Sequence, residues 1–194
     1  MGRLIVVIFG LMATGKTTLA QALGESLGWA VIHSDTVRKS LAGLAPTTRA
    51  PYNFGQGIYS EDFSKCTYTE MLRLAQGHLA AGHGVILDGS FKRALERKRV
   101  RQLARGGGVK VLFVYCECPP EVARERLGIR LTDPEAISDG RVELFEDQIR
   151  DFDPLKPEDR PVLCLDTSQD LEVVLEELEE FVKCFQDEAN SDES

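Results

Sequence analysis

The sequence predicts a three-layer α/β fold, in which helices cover both faces of a five-stranded parallel sheet. Two observations predict it: short apolar runs alternate with helical patterns, and a glycine-rich segment follows the first run directly. Strands that are apolar along their whole length are typical of parallel sheets buried under helices. The ligand cleft is then expected at the carboxyl ends of the strands.

Five apolar runs rich in β-branched residues are the expected strands, and helical patterns lie between them. The strands are residues 4–9, 30–33, 85–87, 109–115 and 162–165. The helices are residues 17–27, 66–81, 92–105, 119–128, 138–151 and 171–185, and a further one begins near Thr36. Apolar side chains recur at helical spacing in these segments, and glycines end several of them.

The 194 residues predict a single domain, at residues 1–186, with an acidic disordered tail at residues 187–194. A chain of this length buries a sufficient core without disulfides or a structural metal. Two appendages are predicted, a lid at about residues 124–141 and an acceptor-site insertion at about residues 40–65. The insertion is long and aromatic, which favours a substrate site over a simple linker.

The glycine-rich segment from Gly10 to Thr17 matches the phosphate-binding pattern G-x-x-x-x-G-K-[ST]. Its place between a strand and a helix directs backbone N–H groups and the helix dipole at a phosphate. Lys16 is expected to reach the β- and γ-phosphates, and the Thr17 hydroxyl to coordinate Mg²⁺. The chain contains no N-K-x-D element for guanine, so ATP is favoured. The residues expected to bind the nucleotide are Gly10, Ala13, Thr14, Gly15, Lys16, Thr17, Thr18 and Arg124.

Asp35 is the candidate general base, because it follows the second predicted strand and so faces the expected cleft. A carboxylate there can take the proton of an acceptor hydroxyl. Alternatively, Ser34 or Asp35 caps the helix that begins near Thr36. Arg38 lies one turn further along, where it either holds an anionic part of the acceptor or is an ordinary solvated side chain.

Asp88 follows the third apolar run and has the form of an aspartate that ends a Walker B strand. It is expected to hold Mg²⁺ through water or to orient Thr17. The alternative is that it caps the following helix.

Arginines near the predicted lid are candidates for neutralising charge on the transferred phosphoryl group. Arg126 and Arg130 lie four residues apart and so share one face of a helix. Arg126 and Arg130 are expected to be catalytic, and the other expected catalytic residues are Lys16, Asp35 and Arg38. The lid helices could equally be an ordinary charged surface.

A second basic cluster, the arginine stripe, consists of Arg93, Arg97, Arg101 and Arg105 on one helical face. It is either a solvated face or a track for a nucleic-acid strand. The formal charge of −8 argues against a polyanionic partner. That acidity comes from residues 170–194, so it does not exclude nucleic acid.

The five cysteines are odd in number and include no C-x-x-C pair, which predicts reduced thiols and no zinc site. The apolar run at residues 4–9 is too short to span a membrane. A cytoplasmic location without membrane contact is therefore expected.

These motifs together resemble the P-loop kinases of the adenylate-kinase-like group. The residues that carry the resemblance are the loop 10–17, the element 34–38, the strand end 88–91 and the arginine-bearing lid. Within the group, the chain is most similar to small AAA-type kinases that occur fused to aminoglycoside-phosphotransferase-like domains. The chain also resembles, to a lesser degree, polynucleotide kinase, zeta toxins and gluconate kinase. The resemblance covers roughly residues 4–168.

The resemblance implies a sheet of strand order 2-3-1-4-5 and adenine bound between the lid and residues 166–168. It also implies that Asp35 is the general base and that Arg38 binds a phosphate of the acceptor, as the matching residues do in polynucleotide kinases. Residues 43–63 match no substrate-specifying motif, so the resemblance implies no particular acceptor.

Three functions are compatible with these observations. The favoured one is an ATP- and Mg²⁺-dependent kinase that acts on a hydroxyl of a small molecule. The second is a polynucleotide 5′-hydroxyl kinase, for which the arginine stripe would track the strand. The third is a nucleotide-binding regulatory or ATPase module without an acceptor.

Overall fold

The computed structural model of this chain describes residues 3–48, 55–130 and 142–191. Its strands are β1 (Leu4–Phe9), β2 (Ala30–His33), β3 (Val85–Asp88), β4 (Lys110–Glu117) and β5 (Val162–Asp166). Its helices are α1 (Lys16–Leu27), α2 (Ser34–Leu41), α3 (Glu61–Ala80), α4 (Ala94–Gly106), α5 (Pro120–Arg130), α6 (Val142–Arg150) and α7 (Leu171–Ser191). Short 3₁₀ turns lie at Gly57–Tyr59 and Pro157–Asp159.

The five strands form one parallel sheet of order β2-β3-β1-β4-β5, which confirms the predicted topology. The register places the last residues of neighbouring strands side by side. Asp88 is opposite Ile8 on one side and His33 on the other. The polar residues that follow the strands therefore meet at one edge of the sheet, where a cleft was expected.

The core consists of two layers that the central strand β1 separates. Its alternate side chains point to opposite faces, and all of them are buried. One face packs against α1 and α7 through Leu4, Val6, Ile8, Leu19, Leu23, Leu178 and Val182. The other packs against α2, α3 and α4 through Ile5, Val7, Phe9, Val37, Met71, Ala75 and Val100. A fully apolar β1 is thus explained by burial on both faces.

Two helices are clearly longer than predicted. α3 begins at Glu61 rather than near residue 66, because the Ser60 side chain caps it by accepting a hydrogen bond from Phe63 N at 3.3 Å. α7 continues to Ser191, so part of the predicted disordered tail is helical. Gln186 is only 8% exposed, which shows that the helix still packs beyond Phe185.

Three of the four arginines in the arginine stripe form ion pairs, which corrects the two predicted roles for these three residues. Arg97 is fully buried, and its Nη2 lies 3.2 Å from Asp159 Oδ2. Arg101 Nη1 lies 2.6 Å from Asp159 Oδ1, and Arg93 Nη2 lies 2.5 Å from Asp151 Oδ1. Burial alone would raise the pKa of the Asp159 carboxyl, but hydrogen bonds from Arg97 and Arg101 hold the pKa below its usual range. Arg93, Arg97 and Arg101 therefore fasten α4 to the segment after α6, whereas Arg105 is exposed.

The described cysteines are all free, as predicted. Burial raises the pKa of the Cys116 thiol well above its ordinary value, so this thiol is unreactive. Within the three described ranges, no helix is both long and apolar enough to cross a membrane.

Candidate active site

The loop after β1 has the backbone shape of a phosphate cradle. Gly10, Ala13 and Gly15 have φ values of 144°, 60° and 73°, which are left-handed conformations. A Cβ at Gly10 would lie 2.4 Å from the Cys116 carbonyl oxygen, so only glycine fits there. Ala13 adopts its conformation at a cost of about 1 kcal/mol, which the surrounding loop must offset. Backbone strain at such a position is common at ligand-binding sites.

Lys16 lies across this loop rather than pointing into solvent. Its Nζ donates to the Leu11 carbonyl oxygen and lies 3.5 Å from Thr14 Oγ1, which itself donates to Leu11 O at 2.8 Å. The ammonium group is thus held beside the cradle that its predicted phosphate partner would occupy.

Gln148, on α6, contacts the same loop and was missed by the sequence-based predictions. Its Oε1 accepts a hydrogen bond from Met12 N at 2.5 Å. Phe145 of the same helix packs with Ala13, Ala123 and Leu127 in a small cluster beside the loop. A glutamine on an amphipathic helix has no distinguishing signal in the sequence, so this contact could only be found in three dimensions.

Thr17, Asp88 and His33 form a hydrogen-bonded group at the carboxyl ends of β2 and β3. Thr17 Oγ1 donates to Asp88 Oδ2 at 2.8 Å, and His33 Nδ1 lies 2.9 Å from the same oxygen. Asp88 does not cap a helix, since α4 begins at Ala94 with Arg93 as its N-cap. The contact with Thr17 supports its predicted role in orienting that hydroxyl.

The donor set at this point fits Mg²⁺. Asp88 is 4% exposed, and its Oδ1 is buried with no hydrogen-bond partner among the described residues. A buried acceptor without a partner is costly unless a ligand or water satisfies it. Mg²⁺ prefers oxygen ligands and keeps several of its waters, so Thr17 Oγ1 and Asp88 would suffice on the protein side.

Asp35 is the second residue of α2, one strand away from Asp88. The helix begins at Ser34, and its N-cap is His33 without a side-chain cap, so neither Ser34 nor Asp35 is the capping residue. The Asp35 side chain is 23% exposed, and its Oδ1 lies 3.6 Å from Arg38 Nε. A partly exposed carboxylate at this edge of the sheet can reach a hydroxyl in the cleft.

Arg38 is buried and anchors the 3₁₀ turn at Gly57–Tyr59 and the first turn of α3, in addition to facing Asp35. Its Nη1 donates to Ile58 O at 2.7 Å and to Ser64 Oγ at 3.1 Å, and its guanidinium lies 4.9 Å from the Tyr59 ring centroid. It is therefore not a solvated arginine. These contacts order one side of the predicted insertion, and residues 49–54 of the insertion lie outside the described residues.

A cleft of about 520 Å³ opens where the phosphate loop faces α5 and the residues that follow β5. Arg126 crosses its wall, with Nη2 donating to Thr167 O at 2.6 Å. Thr167 Oγ1 in turn donates to Thr14 O at 2.8 Å, which ties the loop after β5 to the phosphate loop. The cleft is lined by Ala13, Gly15, Thr18, Leu19, Arg126, Ile129, Val174 and residues 167–171. Its position matches the expected place of the adenine, between α5 and residues 166–168.

The lid arginines separate into different environments. Arg124 lies away from the cleft lining and pairs with Glu146 Oε1 at 2.5 Å on an exposed surface. The predicted role of Arg124 in binding the nucleotide therefore lacks support from the geometry. The side chain of Arg130 and lid residues 131–141 lie outside the described residues.

Replacing Arg126 with alanine is expected to weaken nucleotide binding about tenfold, because a charge-assisted contact at the cleft wall is worth roughly 1.5 kcal/mol or more. Replacing Arg124 with alanine on the same helix is the matched control and should change the Kd less than twofold. Fluorescence titration with a labelled ADP measures both values. Equal Kd values for the two variants would exclude Arg126 from the nucleotide site.

The chain was compared with protein-family models and with known proteins. A family model described as an AAA domain matches residues 5–155. An uncharacterised protein of Mycobacterium tuberculosis is 32% identical over 126 residues, which are 65% of this chain and 25% of that protein. The chain thus spans about a quarter of the length of this relative. A shikimate kinase of Moorella thermoacetica is 29% identical over 136 residues, covering 70% of this chain and 69% of the enzyme.

Solved structures share the fold at low sequence identity. A sugar kinase from Janibacter sp. superposes with a TM-score of 0.65 at 20% identity, covering 94% of this chain and 95% of that one. The APS kinase of Mycobacterium tuberculosis, in complex with AMPPNP and APS, gives a TM-score of 0.65 at 16% identity over 94% and 98% of the two chains. The chain has the fold of P-loop kinases.

Proposed function

The chain belongs to the AAA-domain family whose model it matches, and from this membership and the site geometry we propose that it is an ATP- and Mg²⁺-dependent kinase acting on a hydroxyl of a small molecule. The observation that carries the proposal is the position of Asp35. It lies on α2, directly after β2, while the Thr17–Asp88 pair lies at the end of the neighbouring strand β3. An acceptor hydroxyl between them would adjoin both a base and the phosphoryl donor.

The described contacts support a role for most of these residues, and the role of Arg130 rests on its place in the sequence. The backbone of residues 10–15 and Lys16 hold the phosphates of ATP, and the cleft beside Arg126 holds its base. Asp35 takes the proton from the acceptor hydroxyl as the γ-phosphoryl group transfers. When bound at Thr17 and Asp88, Mg²⁺ would neutralise charge on the phosphates. Arg130 is proposed to stabilise the transferred group from the lid.

A small-molecule acceptor is favoured over a nucleic-acid strand. Three of the four arginines in the stripe that would have tracked a strand are engaged with Asp151 and Asp159, which leaves little of its positive charge for a strand. The names of the similar proteins point the same way, since they include a shikimate kinase and a sugar kinase. The third hypothesis is a module without an acceptor, and such a module would not need the Asp35 carboxylate in the cleft.

A screen of hydroxyl acceptors tests this function. We expect one class of acceptor among sugars, shikimate, nucleosides and aminoglycosides to raise ADP release from ATP well above the rate without acceptor, and only when Mg²⁺ is present. ADP release by the Asp35→Asn variant, measured with each compound, gives the background rate for that compound. Stimulation by a 5′-hydroxyl oligonucleotide alone would replace the small-molecule proposal with a polynucleotide kinase. No stimulation by any acceptor would favour the regulatory module.

A further inference from the structure

His33 makes a hydrogen bond that neither the phosphate loop nor the general-base mechanism requires. Its Nδ1 lies 2.9 Å from Asp88 Oδ2, the oxygen that also accepts from Thr17 Oγ1 at 2.8 Å. Both side chains are well covered, at 15% exposure for His33 and 6% for Asp88. The imidazole is therefore part of the interior of the site.

The sheet fixes the position of this contact. His33 and Asp88 are the last residues of β2 and β3 and lie opposite each other in the parallel register. Where the Asp88 carboxylate is ionised it can only accept hydrogen bonds, and the hydrogen of this contact is then assigned to Nδ1 of His33. Two donors thus act on one carboxylate oxygen, from α1 on one side and from β2 on the other.

We propose that His33 is a positioning residue for the Mg²⁺ site. By donating to Oδ2 together with Thr17, it fixes the carboxylate of Asp88 so that Oδ1 is reserved for the hydrated cation. Oδ1 is the buried atom that has no partner among the described residues. Side chains that orient metal-binding groups in this way commonly change metal affinity by about 10- to 100-fold when they are removed. The inference rests on the proposed function, since it concerns the same site.

A purely structural role for His33 has different consequences. β2 and β3 are already paired along four residues of backbone, so a further contact at their ends would mainly affect stability. It would leave the affinity for the divalent cation unchanged. The two roles are therefore separable by measuring metal binding and unfolding on the same variants.

Three substitutions of His33 test the position of the donor. His33→Asn places an amide nitrogen where Nδ1 lies, His33→Gln moves it to the place of Nε2, and His33→Ala removes it. Binding of Mn²⁺ in the presence of ADP is measured from the loss of the EPR signal of the free ion. Binding of labelled ADP in EDTA and the midpoint of thermal unfolding are measured alongside.

We expect the Kd for Mn²⁺ to rise about tenfold in His33→Ala and His33→Gln, and to stay within twofold of the original in His33→Asn. ADP binding in EDTA should be equal in all four proteins. An unchanged Mn²⁺ Kd in His33→Ala and His33→Gln overturns the role of His33, and so does a His33→Asn variant as weak as His33→Ala. Failure of the unsubstituted chain to bind ADP at all would overturn the proposed function itself.

Discussion

Replacing Asp35 with asparagine is expected to lower the rate of phosphoryl transfer by about 10²- to 10⁴-fold, the usual contribution of a positioned general base. The amide has nearly the shape of the carboxylate but cannot take the proton of the acceptor. The Kd for ATP should change less than twofold, because Asp35 lies outside the nucleotide cleft. Coupled detection of ADP release under saturating acceptor gives the rate, and a binding titration gives the Kd.

Asp62 provides the matched control for this substitution. It lies in the first turn of α3, as Asp35 does in α2, and its side chain is 94% exposed. Asp62→Asn should therefore retain the full rate. A rate for Asp35→Asn equal to that of Asp62→Asn would remove Asp35 as the base.

Asp88 is the other carboxylate near the site, and its environment is unsuited to the same role. It is buried, and its Oδ2 already accepts from two donors. A buried carboxylate whose oxygen is already engaged in this way cannot approach an acceptor hydroxyl. Asp35, with a partly exposed side chain, can approach a substrate directly. Under the proposed mechanism, Asp88 orients the ligands of the metal and Asp35 accepts the proton.

The parallel α/β class and the phosphate loop could be predicted because each leaves a local pattern. An apolar strand such as β1 must be buried on both faces, and the glycines around Lys16 satisfy a backbone requirement that few other sequences meet. Asp35 and Asp88 were found by the same local rule, since both follow apolar runs. The resemblance to P-loop kinases supplied the strand order.

Long-range partners could not be predicted in this way. Gln148 contacts Met12 across 136 residues, and Arg97 pairs with a segment that begins 56 residues further along the chain. Helical periodicity places Arg97 on a face but does not reveal what covers that face. Since charged residues are mostly exposed, a stripe of arginines predicts a solvated surface unless its acidic partners are known.

Arg97 is expected to contribute more to stability than any other charged side chain of α4. It is fully buried, and its Cζ lies 5.9 Å from the Phe9 ring centroid. Its guanidinium donates to the carbonyl oxygens of Phe91, Asp153 and Pro154 at 2.9, 3.2 and 3.2 Å. It also pairs with the carboxylate of Asp159, which is 1% exposed. Substitution by methionine fills much of the volume but leaves all four acceptors short of a donor.

Breaking a buried ion pair by removing one partner costs about 3–5 kcal/mol, so Arg97→Met should lower the free energy of unfolding by that amount. Arg105→Met, the same change at an exposed position of the same helix, should cost less than about 0.5 kcal/mol. Urea unfolding at pH 7 measures both, where the lowered pKa keeps Asp159 ionised. Because Arg97 lies against Phe9, the residue before Gly10, loss of this anchor should also loosen the base of the phosphate loop. Equal stability of the two variants would mean that Arg101 alone holds Asp159 and that the carbonyl oxygens find other donors.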